Sequence, residues 1–122
     1  MAIHTGDRIP EAELGIMTDD GPALLTTSEL FAGKKVLLFA VPGAFTPTCS
    51  AKHVPSYMAQ ANALKAKGVD TIACISVNDP FVMDAWGKDQ KVGDTVLMLA
   101  DGSAAWTKAA GLELDLTDRG LG

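Results

Sequence analysis

Val36-Leu37-Leu38-Phe39-Ala40-Val41-Pro42-Gly43-Ala44-Phe45-Thr46-Pro47-Thr48-Cys49 is the stretch on which the fold turns. The run from Val36 to Val41 is apolar throughout, carries β-branched and aromatic side chains, follows Gly33-Lys34-Lys35 and stops at Pro42-Gly43. That pattern reads as a buried strand ending in a turn. Beyond the turn, Thr46 offers a hydroxyl at an N-cap, Pro47 suits the first helical position, and Cys49 falls in the first turn of the helix that follows. Strand, turn, cysteine and helix are read as one unit.

The first turn of a helix exposes unpaired backbone N–H groups and about half a positive charge from the macrodipole, so it favours a thiolate over a thiol. An unperturbed cysteine with a pKa of ~8.5 is about 3% ionised at neutral pH, whereas one lowered to ~6 is mostly thiolate, the nucleophilic form. Cys49 is therefore expected to be acidic and reactive. Its bland alternative is a small core residue, which a position in a Thr- and Pro-flanked turn disfavours.

Outward from this unit the chain alternates strands and helices. Short strands are expected around Leu14 to Met17 and Ala23 to Leu25, with a helical turn at Ser28 to Phe31. A long helix from about Thr48 to Lys67 places Val54, Tyr57, Met58, Ala61 and Leu64 on one face, and Gly68 ends it. Pro55 lies inside that range, and a kink is expected there. Val69 to Val77 reads as a second buried strand, Asp79-Pro80 as the cap-then-proline start of a helix through about Lys88, and Val96 to Ala100 as a third core strand. Ser103 to Ala110 reads as a short helix capped by Gly111. Strands separated by helices indicate βαβ units around a mainly parallel sheet. No repeat, linker or low-complexity segment interrupts residues 1–122, which are expected to form one domain.

Pro42, Thr46 and Cys49 fill the pattern Pro-x-x-x-Thr-x-x-Cys, which resembles the active-site motif of peroxiredoxins. The surrounding Val41 to Ser50, Ala73-Cys74-Ile75-Ser76-Val77-Asn78-Asp79 and Ala85-Trp86-Gly87 resemble the Prx5 (type II, redoxin) subfamily over nearly the whole chain. The resemblance implies a thioredoxin-like α/β fold and a thiol peroxidase with no metal, haem, flavin or other cofactor. Cys49 would attack hydrogen peroxide or an alkyl hydroperoxide, become a sulfenic acid and be regenerated by a thiol. Thr46 would hold thiolate and peroxide by its hydroxyl, Pro42 would shield the sulfur, and the N–H groups of Gly43 and Cys49 would bind the peroxide oxygens. Homodimers formed through the face around the active site are also implied.

Cys74 is read first as a buried, inert strand residue. The alternative is a resolving thiol for the sulfenic acid, but a disulfide needs Cα atoms within about 7 Å, which a mid-strand and a helix-start residue meet only after local unwinding. An external reductant is expected instead: glutathione with glutaredoxin, or thioredoxin. The family's activating arginine lies downstream, before a late strand, whereas this sequence holds only Arg8 and Arg119 and corresponds to the family without its C-terminal part. That departure supports a rival reading, a catalytically impaired domain that senses or binds thiols. A second rival is a Cys-His hydrolase using His53, four residues after Cys49, although no Asn or Asp is evidently placed to orient the imidazole. Lys52 adds modest positive potential or is a solvated helix-face charge; Phe45 and Trp86 read as core or dimer-contact aromatics.

Fifteen acidic against ten basic residues give a net charge of −5 with no basic cluster, which leaves no source for the phosphate contacts of nucleic-acid binding. The amino-terminal residues Met1 to Leu14 have neither a basic leader nor a long apolar core, and no apolar run approaches the ~20 residues that span a bilayer. A cytoplasmic protein with no membrane partner is expected, in which two cysteines are more often thiols than a structural bridge.

Overall fold

The structure, a computed structural model, describes residues 2–47, 52 and 54–119. A hairpin opens the chain: β1 (Glu13–Thr18) and β2 (Gly21–Thr26) pair antiparallel. Gly21 takes φ +111° in the turn, where an L side chain would be strained, and the Thr18 hydroxyl donates to its carbonyl at 2.6 Å. The short helix α1 (Thr27–Phe31) starts with a capping box, the Thr26 hydroxyl accepting from Glu29 N–H while the Glu29 carboxylate accepts from Thr26 N–H.

The expected β–α–β succession follows: β3 (Val36–Ala40), α2 (Val54–Ala66), β4 (Thr71–Ser76), α3 (Pro80–Asp89) and β5 (Leu97–Ala100), then α4 (Ala105–Ala109) and a 3-10 turn at Thr117–Arg119. The five strands lie in the order β2-β1-β5-β4-β3. Strands β3, β4 and β5 run parallel, and the hairpin joins antiparallel where Gly15 meets Ala100. The sheet is therefore mixed rather than mainly parallel: the three parallel strands that the alternating pattern predicts form one side of it, and the antiparallel hairpin the other.

Alternation along the strands separates two cores. On one face Phe39, Ile72, Cys74 and Ala100 pack with Val54 and Ala61 of α2 and Met83 and Trp86 of α3. On the other, Leu14, Ala73, Ile75 and Leu99 pack with Leu30 of α1, Trp106 of α4 and Ala110. Tyr57, Met58 and Leu64 join Val54 and Ala61 against the first core, as the helical spacing predicts.

Helix ends follow their residues. Gly68 adopts φ +97° after α2, with Gly68 N–H donating to Lys65 O (3.0 Å) and Val69 N–H to Leu64 O (3.2 Å), a Schellman ending; Gly111 closes α4 in the same way. Asp79 caps α3 by accepting from Val82 N–H at 2.8 Å, and Pro80 occupies the first turn. The expected start of the long helix at Thr48 and the kink at Pro55 involve residues 48–51 and 53, which lie outside the described residues; as described, α2 begins at Val54. Helix α4 begins at Ala105 rather than at the expected Ser103, and its N-cap Ala104 makes no side-chain cap; buried Asp101 serves instead, accepting from the N–H groups of Trp106 (3.2 Å) and Thr107 (2.8 Å) and from the Thr107 hydroxyl (2.7 Å).

Candidate active site

The parallel strands deliver three chain segments to one end of the sheet. The ladder between β3 and β4 is extended by Val41 N–H donating to Ile75 O at 3.1 Å, after which the chain leaves the sheet at Pro42. Such ends, where a strand turns towards a helix, are where α/β folds place their chemistry.

The turn is tied down at three points. Ala44 N–H donates to Asn78 Oδ1 at 2.9 Å, and the same oxygen accepts the hydroxyl of buried Ser76 at 2.7 Å. The Thr46 hydroxyl donates to Gly43 O at 2.7 Å, closing a four-residue loop on itself. Phe45, 52% exposed, meets the fully buried Trp86 of α3 with ring centroids 6.5 Å apart and tilted by 51°. Between these ties Phe45 is held at φ +63°, a left-handed conformation costing a non-glycine residue roughly 1–2 kcal/mol. The loop is thus over-determined by its surroundings, a common condition of preorganised sites.

Pro42 lies exposed at the start of this turn, and Gly43 and Thr46 are half-buried within it, so the structure gathers these three expected residues in one loop. Cys49 and His53 lie outside the described residues, as do the N–H groups of residues 48 and 49 that Thr46 is expected to cap. Cys74 is fully buried in the middle of β4, beside Phe39 in register, with its side chain on the face covered by α2 and α3. Lys52, Arg8 and Arg119 are exposed. Asn78 is the positioning residue that sequence reasoning passed over: it drew notice only within the stretch from Ala73 to Asp79, because its partner Ala44 is 34 residues away.

A second feature adjoins the turn. Ala40, Val41 and Pro42 form one wall of an open groove of about 280 Å³, lined also by Trp106 and by Leu112, Leu114 and Leu116 of the segment after α4. Among the described residues, no three His, Cys, Asp or Glu side chains stand together as a metal site, and no helix is long and apolar enough to cross a membrane.

Comparison with known proteins gives a consistent picture. A family model described as Redoxin matches residues 4–121. The chain is 55% identical over 122 residues to Peroxiredoxin-2B of Arabidopsis thaliana, covering 98% of this chain and 75% of that protein. It is 50% identical over 123 residues to the chloroplastic Peroxiredoxin-2E of the same plant, covering 99% of this chain and spanning about half, 53%, of the relative. Among solved structures, reduced Prx3 of Vibrio vulnificus in complex with hydrogen peroxide superposes with a TM-score of 0.90 at 57% identity, over 93% of this chain and 72% of that one.

Proposed function

The chain belongs to the peroxiredoxin branch of the redoxin family, and from that premise we propose that it is the cysteine-bearing part of a thiol-dependent peroxidase. The observation that carries this reading is the pinned turn from Pro42 to Thr46, which leads directly into Cys49. A loop fixed before substrate arrives costs no reorganisation when charge develops, the condition under which hydrogen-bond donors stabilise a transition state most.

In the proposed reaction the Cys49 thiolate attacks the terminal oxygen of a hydroperoxide. An S–O bond forms, the O–O bond breaks, and the departing alkoxide or hydroxide takes a proton and leaves as alcohol or water. The cysteine, oxidised by two electrons, is then a sulfenic acid. One external thiol condenses with it, releasing water and leaving a mixed disulfide; a second thiol releases the oxidised reductant and restores Cys49. The Thr46 hydroxyl hydrogen is engaged by Gly43 O, so its oxygen presents lone pairs that can accept the peroxide O–H. Gly43 and Cys49 N–H groups are assigned to the peroxide oxygens, and Pro42 to excluding water from the sulfur.

Glutathione with glutaredoxin, or thioredoxin, is the proposed reductant, and the burial of Cys74 supports an external one. A side chain locked in the α2/α3 core reaches a partner outside β4 only if strand and core open. Hydrogen peroxide and alkyl hydroperoxides are the proposed substrates, in a cytoplasmic homodimer. The test is steady-state peroxide consumption with a thiol reductant. Sustained turnover abolished by Cys49→Ser is expected; turnover that survives that change contradicts the assignment, and a single stoichiometric oxidation favours the impaired, thiol-sensing alternative.

A further inference from the structure

Among the described residues the buried polar side chains are Thr27, Ser76 and Asp101. Thr27 is bonded to Pro10 and Glu11 at the start of α1. The other two stand at the end of the sheet that carries the turn from Pro42 to Thr46: Ser76 ends β4, and Asp101 directly follows β5. Burying a carboxylate is costly unless hydrogen bonds replace its hydration, so Asp101 calls for a reason.

Its side chain and main chain hold two different elements. The carboxylate accepts from Trp106 N–H, Thr107 N–H and the Thr107 hydroxyl, and so holds α4. Its own N–H donates to Ser76 O at 2.9 Å, extending the ladder between β4 and β5 past its last pair, Ser76 with Ala100. Ser76 in turn donates its hydroxyl to Asn78 Oδ1, the oxygen that also accepts Ala44 N–H. A hydrogen-bonded path therefore runs from α4 through Asp101, Ser76 and Asn78 to the turn.

A packing contact runs beside it. Gly102 lies against the peptide that follows Asn78, where a methyl group would meet Asn78 O at 3.5 Å and Asp79 Cα at 3.6 Å. The backbone is strained at both ends of the path: Ala104, whose N–H donates to Asp101 O at 2.9 Å, adopts φ +58°, and Phe45, next to Ala44, adopts φ +63°. Such conformations persist only where the surroundings over-determine them, and they cluster at functional sites.

We propose that Asp101 is a positioning residue for the reaction at Cys49: by clamping α4 to the end of β4 it holds Ser76 and Asn78, and through them Ala44 and its turn. The proposal rests on the peroxidase reading for the rate it affects, whereas the path itself is defined by hydrogen bonds. It gives α4, otherwise a cover for the second core, a part in supporting the site.

A double-mutant cycle separates this role from that of a helix cap alone. Thr107→Val keeps the side-chain shape and removes one bond to Asp101, and Asp101→Ala removes all three. The rate of Cys49 oxidation by hydrogen peroxide is measured for each, alone and combined with Asn78→Ala. Alone, Thr107→Val is expected to slow oxidation about fivefold and Asp101→Ala about thirtyfold, within the coupling range of contacting residues. Thr107→Ser, which keeps the hydroxyl, is expected to restore the rate. In the Asn78→Ala background both effects are expected to shrink to about twofold or less, the scatter of independent sites. Effects as large in that background as outside it, or an unslowed rate in both single variants, overturn the proposal; where Asp101→Ala fails to fold, Thr107→Val with its serine rescue decides. The Ala44 amide ¹H–¹⁵N resonance supplies a readout independent of activity. It reports the bond to Asn78 and is expected to move in Thr107→Val and return in Thr107→Ser; a resonance that stays in place overturns the path. An unmodified protein that consumes no peroxide overturns the peroxidase reading, while the Ala44 resonance still decides the path.

Discussion

Thr46 has one hydroxyl hydrogen, and Gly43 O holds it at 2.7 Å. A valine at this position keeps the shape but removes both the loop-closing bond and the acceptor proposed for the peroxide. Thr46→Val is therefore expected to lower the second-order rate of Cys49 oxidation by about 10², the scale of losing one preorganised polar contact, and Thr46→Ser to restore most of it. Stopped-flow peroxide reduction measures this; an unchanged rate in the valine variant confines Thr46 to a capping role. Asn78 acts one step further back. Its Oδ1 accepts from Ala44 N–H and Ser76 Oγ–H, so Asn78→Ala leaves two donors unpaired and is expected to destabilise the fold by roughly 1–3 kcal/mol while slowing peroxide reduction. Asn78→Asp keeps an oxygen acceptor and is expected to recover the rate, an outcome that a merely space-filling residue would not produce. The turn from Pro42 to Thr46 was readable because its Pro-Gly break and Thr hydroxyl act locally. The pin at Asn78 was not, because a bond spanning 34 residues exists only once β3 and β4 are side by side.

At the scale of elements, the close approach of α3 to the sheet depends on Gly15. A methyl group there would lie 2.6 Å from Pro80 Cγ and 3.3 Å from Ala100 Cβ, and a proline ring cannot swing aside. Gly15→Ala is expected to cost about 1–3 kcal/mol by overpacking, read as a lower denaturant midpoint; a midpoint unchanged or raised would show that α3 yields freely. The start of α1 adds an electrostatic latch. Glu11 accepts from the Ser28 hydroxyl, from Ser28 N–H at 3.1 Å and from the Thr27 hydroxyl at 3.0 Å, and these bonds, the Ser28 hydroxyl first, hold its carboxyl below its usual value of 4.5. A depressed folded-state pKa contributes stability above the unfolded value and loses it as pH falls through the folded one. Glu11→Gln is thus expected to flatten the acid limb of the stability curve below about pH 4.5, and an acid limb identical to the parent's contradicts the latch. Most elements were legible from periodicity and caps, Asp79-Pro80 above all. The cap of α4 was not, since Asp101 reaches past Ala104, which adopts φ +58°, a conformation that local propensity disfavours.

Across the whole molecule, the parallel order β5-β4-β3 brings Pro42 to Thr46, Ser76 to Asn78 and the segment from Leu112 to Leu116 to one end of the sheet. The strand types were legible in their apolar runs, but their order was not, because pairing partners are chosen by the assembled core. Strand β3 lies at the sheet edge and pairs with β4 alone among the described residues. Such an open apolar edge favours strand-to-strand association. The 122-residue chain is expected to sediment with a concentration-dependent mass, and a monomer at every concentration would show that the edge is protected in solution. The central claim, that Cys49 is the sulfur that reduces peroxide, is tested most directly by adding one equivalent of hydrogen peroxide in the presence of a sulfenic-acid trap and mapping the adduct by mass spectrometry. Stoichiometric trapping at Cys49 with Cys74 unmodified is expected. Trapping at Cys74, or peroxide left unconsumed with both thiols intact, would contradict it.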